Sequence, residues 1–178
     1  LSLSNLDLKS KIAIFEIGTN QFGEIKNLTS IVKPHIAIIT NIGPSHLKFF
    51  KNIKNVEKEK SEILSGKDNP NINSIIIPDN NFLYKKAEYN KNCQVYKFGG
   101  KKNSSTYIVE TKKIDNFIYK VSAKIINKDI IYYIKANGEH QIINSLITLI
   151  VFKILNLNLL NFTKHAKSLP QLSGRGRS

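Results

Sequence analysis

The chain has 178 residues, of which 41% are hydrophobic, and its 27 Lys and Arg against 13 Asp and Glu give a net charge of +14. This length suits one domain, with at most a small appendage, that buries a sizeable core. The longest apolar segment is interrupted by Lys153 and is shorter than the roughly 18 residues that a spanning helix needs, so no membrane span is indicated.

The positive charge is spread among Asn and Ile residues along the entire chain. A charge of this size favours nucleic acid or anionic substrates. However, the sequence shows no helix-turn-helix, zinc knuckle or aromatic RNA-binding signature. We therefore interpret the charge as compositional bias and expect no nucleic-acid partner.

Cys93 is the single cysteine, which excludes a disulfide framework and favours a reducing cytoplasm. No motif surrounds it, so we expect no reactive thiol. The first ten residues lack the pattern of a secretory signal. Met is absent from the chain, including position 1, so we expect these residues to be an internal piece of a longer product. We expect the protein to be a monomer.

Two apolar runs, over 11–16 and 35–40, predict buried strands. Apolar residues at helical spacing lie between the runs and stop before Pro34, which predicts a helix. A helix between two buried strands is the parallel crossover of an α/β sheet. The pattern continues with a helix over 53–64 and a strand over 74–78.

A helix over 82–89 and a strand over 94–98 follow. From Thr106 onward, segments rich in aromatic and β-branched residues surround Asn127-Lys128, which predicts an antiparallel meander with a turn there. Two helices, over 138–156 and 159–169, complete the pattern. The predicted fold class is therefore α/β, with a mostly parallel sheet flanked by helices and a small antiparallel β meander.

Polar residues follow the first two predicted strands: Glu16 after the first, and Asn41 and His46 after the second. In open α/β sheets, ligands bind beyond the carboxyl ends of the strands, so we expect these side chains to converge. Carboxylates suit Mg²⁺, and histidine binds metals or donates to phosphates. Alternatively, Glu16 caps the following helix, His46 caps its own loop, and Asn41 either orients a ligand or satisfies the strand end.

Lys60 lies in the helix predicted over 53–64, among Glu57, Glu59 and Glu62. From these residues alone, the favoured interpretation is a solvated helix face with ion pairs. A catalytic lysine is the alternative.

The C-terminal part contains further candidates. His140 and Asn144 lie at the start of an otherwise apolar helix, where a nucleotide base or phosphate could bind, although ordinary capping is the alternative. Arg175 lies between Gly174 and Gly176. It could stabilise phosphate charge or simply be a solvated linker residue.

Five motifs, in this order and at these separations, resemble the central domain of the Mur ligases of peptidoglycan synthesis: EIGTNQFGEI, TNIGPSHLKFF, EKEKSEI, GEHQIIN and SGRG. The first motif is similar to that of the MurF type. The resemblance covers nearly the whole chain and implies a fold like that of P-loop NTPases. The phosphate-binding motif G-x-x-G-K-[ST] does not occur in these residues.

The resemblance implies a role for each residue near the first motifs. Glu16 matches a Mg²⁺-binding glutamate, and His46 matches the histidine that holds a second Mg²⁺. Lys60 matches a lysine that reacts with CO₂ to form a carbamate, a change that turns a cation into an anion beside the metal. Asn41 is expected to orient these groups. The chain departs from the family at Lys51-Asn52, where Gly-Ser is usual.

The resemblance also implies a nucleotide site. Asn144 matches the asparagine that contacts adenine, with His140 in the same motif, and Arg175 matches an arginine that reaches the ATP phosphates. Gln141 stands where the family usually has Asn.

The implied activity is an ATP-dependent amide ligation, with Mg²⁺, that joins D-alanyl-D-alanine to UDP-N-acetylmuramoyl-tripeptide through an acyl phosphate. We expect residues 1–178 to form part of the central domain, without the UDP-sugar domain, the P-loop and the C-terminal ligase domain, and to be inactive alone. The alternatives are another Mur ligase or a folylpolyglutamate synthase, a gene remnant, or a basic binding module.

Overall fold

The computed structural model describes residue 7 and residues 9–99 and 103–168. The helices are α1 (Glu24–Val32), α2 (Leu47–Phe50), α3 (Ile53–Lys60), α4 (Asn81–Glu88), α5 (Glu139–Ile154) and α6 (Leu159–His165), and 3₁₀ turns at Ser61–Leu64 and Ala166–Ser168 follow α3 and α6. The strands are β1 (Ile36–Ile38), β2 (Ser74–Pro78), β3 (Gln94–Gly99), β4 (Thr106–Lys113), β5 (Ile118–Ile125) and β6 (Lys128–Lys135).

These strands form one sheet in the order β1-β2-β3-β4-β5-β6. β2 and β3 run in the same direction, because hydrogen bonds link Gln94 to Asn73 at one end and Asp79 to Phe98 at the other. β3 and β4 are parallel, whereas β4 pairs with β5, and β5 with β6, in antiparallel fashion. The predicted combination of a parallel sheet and an antiparallel meander is confirmed.

The chain divides into two compact units, and the first comprises Leu1–Ile75 and Asn80–Val95. Its described helices bury one apolar face each: Ile25 of α1, Val56 of α3 and Leu83 of α4 are at most 4% exposed. Side-chain caps fix where α3 and α4 begin, because Asn52 and Asn80 accept hydrogen bonds from backbone N–H groups in the first turns.

The second unit comprises Ile76–Asp79 and Tyr96–Ser178. Alternate residues of β5 are buried, as expected for a strand with one covered face. The turn between β5 and β6 lies at Ile126 and Asn127, whose φ angles of 44° and 69° are typical of a tight hairpin. The turn predicted at Asn127-Lys128 is therefore displaced by one residue.

The strand predicted over 11–16 is wrong. Residues 11–16 join no ladder with the strands of the described ranges, and Ile12 and Ile14 are 51% and 80% exposed. An apolar run becomes a buried strand only when neighbouring strands accept and donate its backbone hydrogen bonds. The other predicted helices and strands are confirmed, with small differences at their ends.

The described helices include none that is long and apolar enough to cross a bilayer.

Candidate active site

Lys60 lies at the last position of α3, and its side chain is half-buried. Its Nζ donates a hydrogen bond to the backbone carbonyl of Asn41, at 2.9 Å. The structure therefore brings together these two predicted residues, although Asn41 contributes its backbone oxygen to this contact. Burial lowers the pKa of the Lys60 ammonium group, because the charged form is poorly solvated there.

The three neighbouring glutamates do not neutralise Lys60. Glu57 accepts a hydrogen bond from Asn80 at 2.6 Å, and Glu62 pairs with Lys86 at 2.9 Å. Within the described ranges no carboxylate lies within ion-pairing distance of Lys60. The prediction of a solvated face with ion pairs is thus wrong in part. The carboxylates of Glu57 and Glu62 bind side chains at or in α4, whereas Lys60 forms no ion pair with a described carboxylate.

Glu59 departs furthest from the predicted solvated face, since its side chain is only 2% exposed. Its carboxylate accepts hydrogen bonds from the backbone N–H groups of Gly23 and Ile25, at 2.9 and 3.0 Å. Sequence reasoning missed this residue because a glutamate in a charged helix is usually solvated. The sequence signal that could have indicated this role is Gly23, which has no side chain with which to cap the start of α1.

A cleft of ≈ 510 Å³ lies between the start of α1 and His46. Its lining residues are Gly18, Thr19, Asn20, Glu24, Asn27, Leu28 and His46. His46 is therefore close to residues 18–20, which directly follow the Glu16 region. The cleft presents a carboxylate, amides, a hydroxyl and an imidazole, a set that can bind a polar ligand through several hydrogen bonds. The convergence of Glu16 and Asn41 with His46 stays a prediction.

Hydrogen bonds within the lining stabilise its shape. The Glu24 carboxylate accepts from the N–H groups of Asn20 and Gln21, at 2.6 and 3.2 Å, and these bonds lower its pKa. The Thr19 hydroxyl donates to the Gln21 carbonyl at 2.8 Å. Glu24 therefore remains an anion in the wall of the cleft.

His46 has a left-handed backbone, with a φ of 49°, and its carbonyl accepts hydrogen bonds from the N–H groups of Phe49 and Phe50 in α2.

Lys51, where the family usually has glycine, also has a positive φ, of 67°, a conformation that glycine adopts more readily. Lysine at position 51 therefore adopts a backbone conformation that suits the glycine usual in the family. Asn52, in contrast, serves as the N-cap of α3, a role for which Asn and Ser are both suited.

His140 and Asn144 are exposed and lie on one face of α5, because residues four apart stack on a helix. The Gln141 side chain accepts a hydrogen bond from the Asn137 N–H at 2.7 Å, one residue before the N-cap Gly138, and among the described residues no side chain caps the first N–H groups of α5. Asn144 forms no side-chain cap of α5 and is exposed, so its amide is accessible to a ligand. A β-carbon at Gly138 would meet the His140 ring at 3.1 Å, so glycine lets this ring lie over the helix start.

Two predicted features have no structural support. Arg175 lies outside the described residues. Among the residues that the structure describes, no group of three His, Cys, Asp or Glu could hold a metal ion. Glu16 and His46 therefore do not make a complete Mg²⁺ site on their own, and the predicted metal ligands remain predictions.

Comparison with known proteins gives one family. Residues 1–152 match the model of the Mur ligase middle domain. The UDP-N-acetylmuramoyl-tripeptide--D-alanyl-D-alanine ligase of Rickettsia prowazekii is 29% identical over 99% of this chain, and that of Buchnera aphidicola is 32% identical over 98%. The chain spans 40% and 38% of the lengths of these relatives.

Solved structures show the same fold. A crystal structure of MurF from Acinetobacter baumannii has a TM-score of 0.75 at 24% identity, over 89% of this chain and 34% of that one. MurF from Thermotoga maritima, in complex with ADP, has a TM-score of 0.76 at 19% identity, over 89% of this chain and 36% of that one.

Proposed function

Because the chain belongs to the Mur ligase family, through its middle domain, we propose that it is the ATP-handling part of an amide ligase of the MurF type. The substrates would be ATP, UDP-N-acetylmuramoyl-tripeptide and D-alanyl-D-alanine, as the names of its relatives suggest. The activity belongs to a longer protein, since the relatives extend well beyond the matched residues. We place that protein in the cytoplasm.

The proposed reaction has two steps. A carboxylate of the tripeptide attacks the γ-phosphorus of ATP, which gives an acyl phosphate and ADP. The amine of D-alanyl-D-alanine then attacks the acyl carbon, phosphate leaves, and the amine loses a proton. Both steps concentrate negative charge on oxygen atoms, so positioned donors and cations accelerate them.

The observation that carries the proposal is the environment of Lys60. Its amine is half-buried, its pKa is lowered, and it is held by the Asn41 carbonyl rather than by a carboxylate. A lysine in this state is neutral more often than a solvated lysine, and only the neutral amine adds to CO₂. We propose that Lys60 becomes a carbamate, whose new negative charge would replace the positive charge that now faces the Asn41 carbonyl.

Other residues have supporting roles. His46 and residues 18–20 line the cleft, where we propose that the tripeptide carboxylate and the transferred phosphoryl group meet. His140 and Asn144, on the exposed face of α5, are proposed to contact the adenine, and Arg175 the phosphates. Two Mg²⁺ ions would neutralise phosphate charge, with Glu16 as a ligand of one and His46 as a ligand of the other.

The test is phosphate release by the full-length protein that carries this chain. We expect release from ATP only when both UDP-N-acetylmuramoyl-tripeptide and D-alanyl-D-alanine are present. A panel that replaces D-alanyl-D-alanine by single amino acids, or the tripeptide by a folate, separates the related ligases. Release that depends on one of those replacements, and not on D-alanyl-D-alanine, would refute the MurF assignment.

A further inference from the structure

Glu59 joins two parts of the first unit that are distant in sequence. Its Oε2 accepts from the Gly23 N–H at 2.9 Å, and its Oε1 accepts from the Ile25 N–H at 3.0 Å. The Thr19 hydroxyl also lies 3.5 Å from Oε1. Both carboxylate oxygens are thus occupied at a position that is 2% exposed.

The start of α1 requires such an acceptor. Gly23, its N-cap, has no side chain to offer and has a φ of 88°, and no side-chain cap is formed from within this helix. The first N–H groups of a helix are otherwise unsatisfied, and the helix N-terminus carries partial positive charge. Glu59 supplies both the acceptor and the negative charge from α3.

The same residue is next to Lys60. Successive side chains on a helix point about 100° apart, and here Glu59 points to the start of α1, whereas Lys60 points to the Asn41 carbonyl. Residues 18–20, which precede α1, line the cleft together with His46. One rigid helix therefore holds the lysine and fixes the loop that forms the wall of the cleft.

We propose that Glu59 is a positioning residue: its buried carboxylate fixes residues 18–23 relative to Lys60, and this sets the shape of the cleft. The inference rests on the proposed function in that it assigns the cleft to the reacting groups. Glu59 itself touches no reacting atom. Its contribution is to prevent the loop from moving by the ångström that is enough to slow a ligation.

The first measurement is amide hydrogen exchange of the 178-residue chain and its Glu59→Gln variant. Glutamine keeps the size of the side chain but places an NH₂ group against a backbone N–H, so one of the two bonds is lost. We expect exchange to become about tenfold faster or more at whichever of Gly23 and Ile25 faces the NH₂ group. Exchange at Leu83, whose N–H is bound by Asn80, should not change.

The second measurement is steady-state kinetics of the full-length protein. We expect Glu59→Gln to lower kcat by about tenfold to a hundredfold, with the KM for ATP within about twofold of wild type. Glu57→Gln is the matched control, because Glu57 lies on the same helix but bonds to Asn80. This control should keep its kcat and its Gly23 exchange.

The outcomes separate the possibilities. Unchanged exchange at Gly23 and Ile25, or faster exchange with an unchanged kcat, would overturn the proposal; the second result would mean that Glu59 is only a helix cap. If Glu59→Gln does not fold, Glu59→Asp replaces it, since it keeps the charge and shortens the reach. If the wild-type protein itself makes no amide bond, the proposed function fails, and exchange alone decides whether Glu59 holds the loop.

Discussion

Tyr132 and Ser145 form a buried pair whose removal has a calculable effect. The Tyr132 hydroxyl lies 2.5 Å from Ser145 Oγ, and Ser145 Oγ donates to the Ile142 carbonyl at 2.6 Å. Because serine has one hydroxyl proton, Tyr132 must be the donor in the pair. This bond joins β6 to α5 directly beside Asn144, and so keeps Asn144 on the exposed face of α5.

We predict that Tyr132→Phe lowers the free energy of unfolding by about 1 kcal/mol at neutral pH, since one buried hydrogen bond is lost. High pH should remove this advantage of the wild type over the variant. Burial raises the pKa of Tyr132 to about 12, whereas an unfolded tyrosine titrates near 10. The stabilisation that this shift represents is fully present below pH 10 and is lost as the pH rises towards 12.

The full loss amounts to about 2 to 3 kcal/mol, and about half of it should have occurred by pH 11. The phenylalanine variant has no phenol at this position and avoids that loss. Urea unfolding of both proteins, followed by circular dichroism between pH 8 and 11, measures the difference. We expect the advantage of the wild type to shrink to about zero at pH 11. A difference that stays constant over this range would refute the reasoning, because the other titrating groups are common to both proteins.

Four further predictions follow from individual residues. In the full-length protein, Lys60→Ala should abolish D-alanyl-D-alanine-dependent phosphate release, and short carboxylic acids should restore part of it; full activity of the variant would exclude a carbamate. In the 178-residue chain, nuclear magnetic resonance titration of the lysine side chains should give Lys60 a pKa below the ordinary lysine value, and an ordinary midpoint would contradict its burial. Asn144→Ala should raise the KM for ATP without changing the melting temperature, since this side chain is exposed; an unchanged KM would remove Asn144 from the nucleotide site. Phe50→Ala should cost about 3 to 5 kcal/mol of unfolding free energy, because the ring is fully buried, whereas Phe49→Ala, at a 59% exposed position, should cost far less.

Much of the fold could be predicted because the periodicity of its elements is local. The β2 segment and α3 were predicted from their own apolar patterns. Residues 11–16 have an equally apolar pattern, but a strand also depends on partners that no local pattern contains. A hydrophobic pattern thus predicts which residues could be buried, but their burial also depends on the neighbouring strands and helices of the fold.

The site was less predictable for a related reason. Glu59 and Glu57 have the same chemistry and the same helix, yet one is buried at the start of α1 and the other binds Asn80. The difference arises from which face of α3 meets α1, and this is a tertiary property. Likewise, the Gln141 side chain binds the Asn137 N–H, a contact that the type of this residue alone does not predict.

The adjacency of Glu59 and Lys60 also has a consequence for how this protein can change during evolution. A one-residue insertion or deletion within α3 would rotate one side of the helix against the other by about 100°. With the start of α3 fixed at Asn52, a deletion would carry the lysine towards α1, and an insertion would carry Glu59 towards the Asn41 carbonyl. The β5–β6 hairpin turn, which holds exposed Asn127, is under no such constraint. Related chains should therefore vary in length at that hairpin and keep a constant spacing from Asn52 to Lys60.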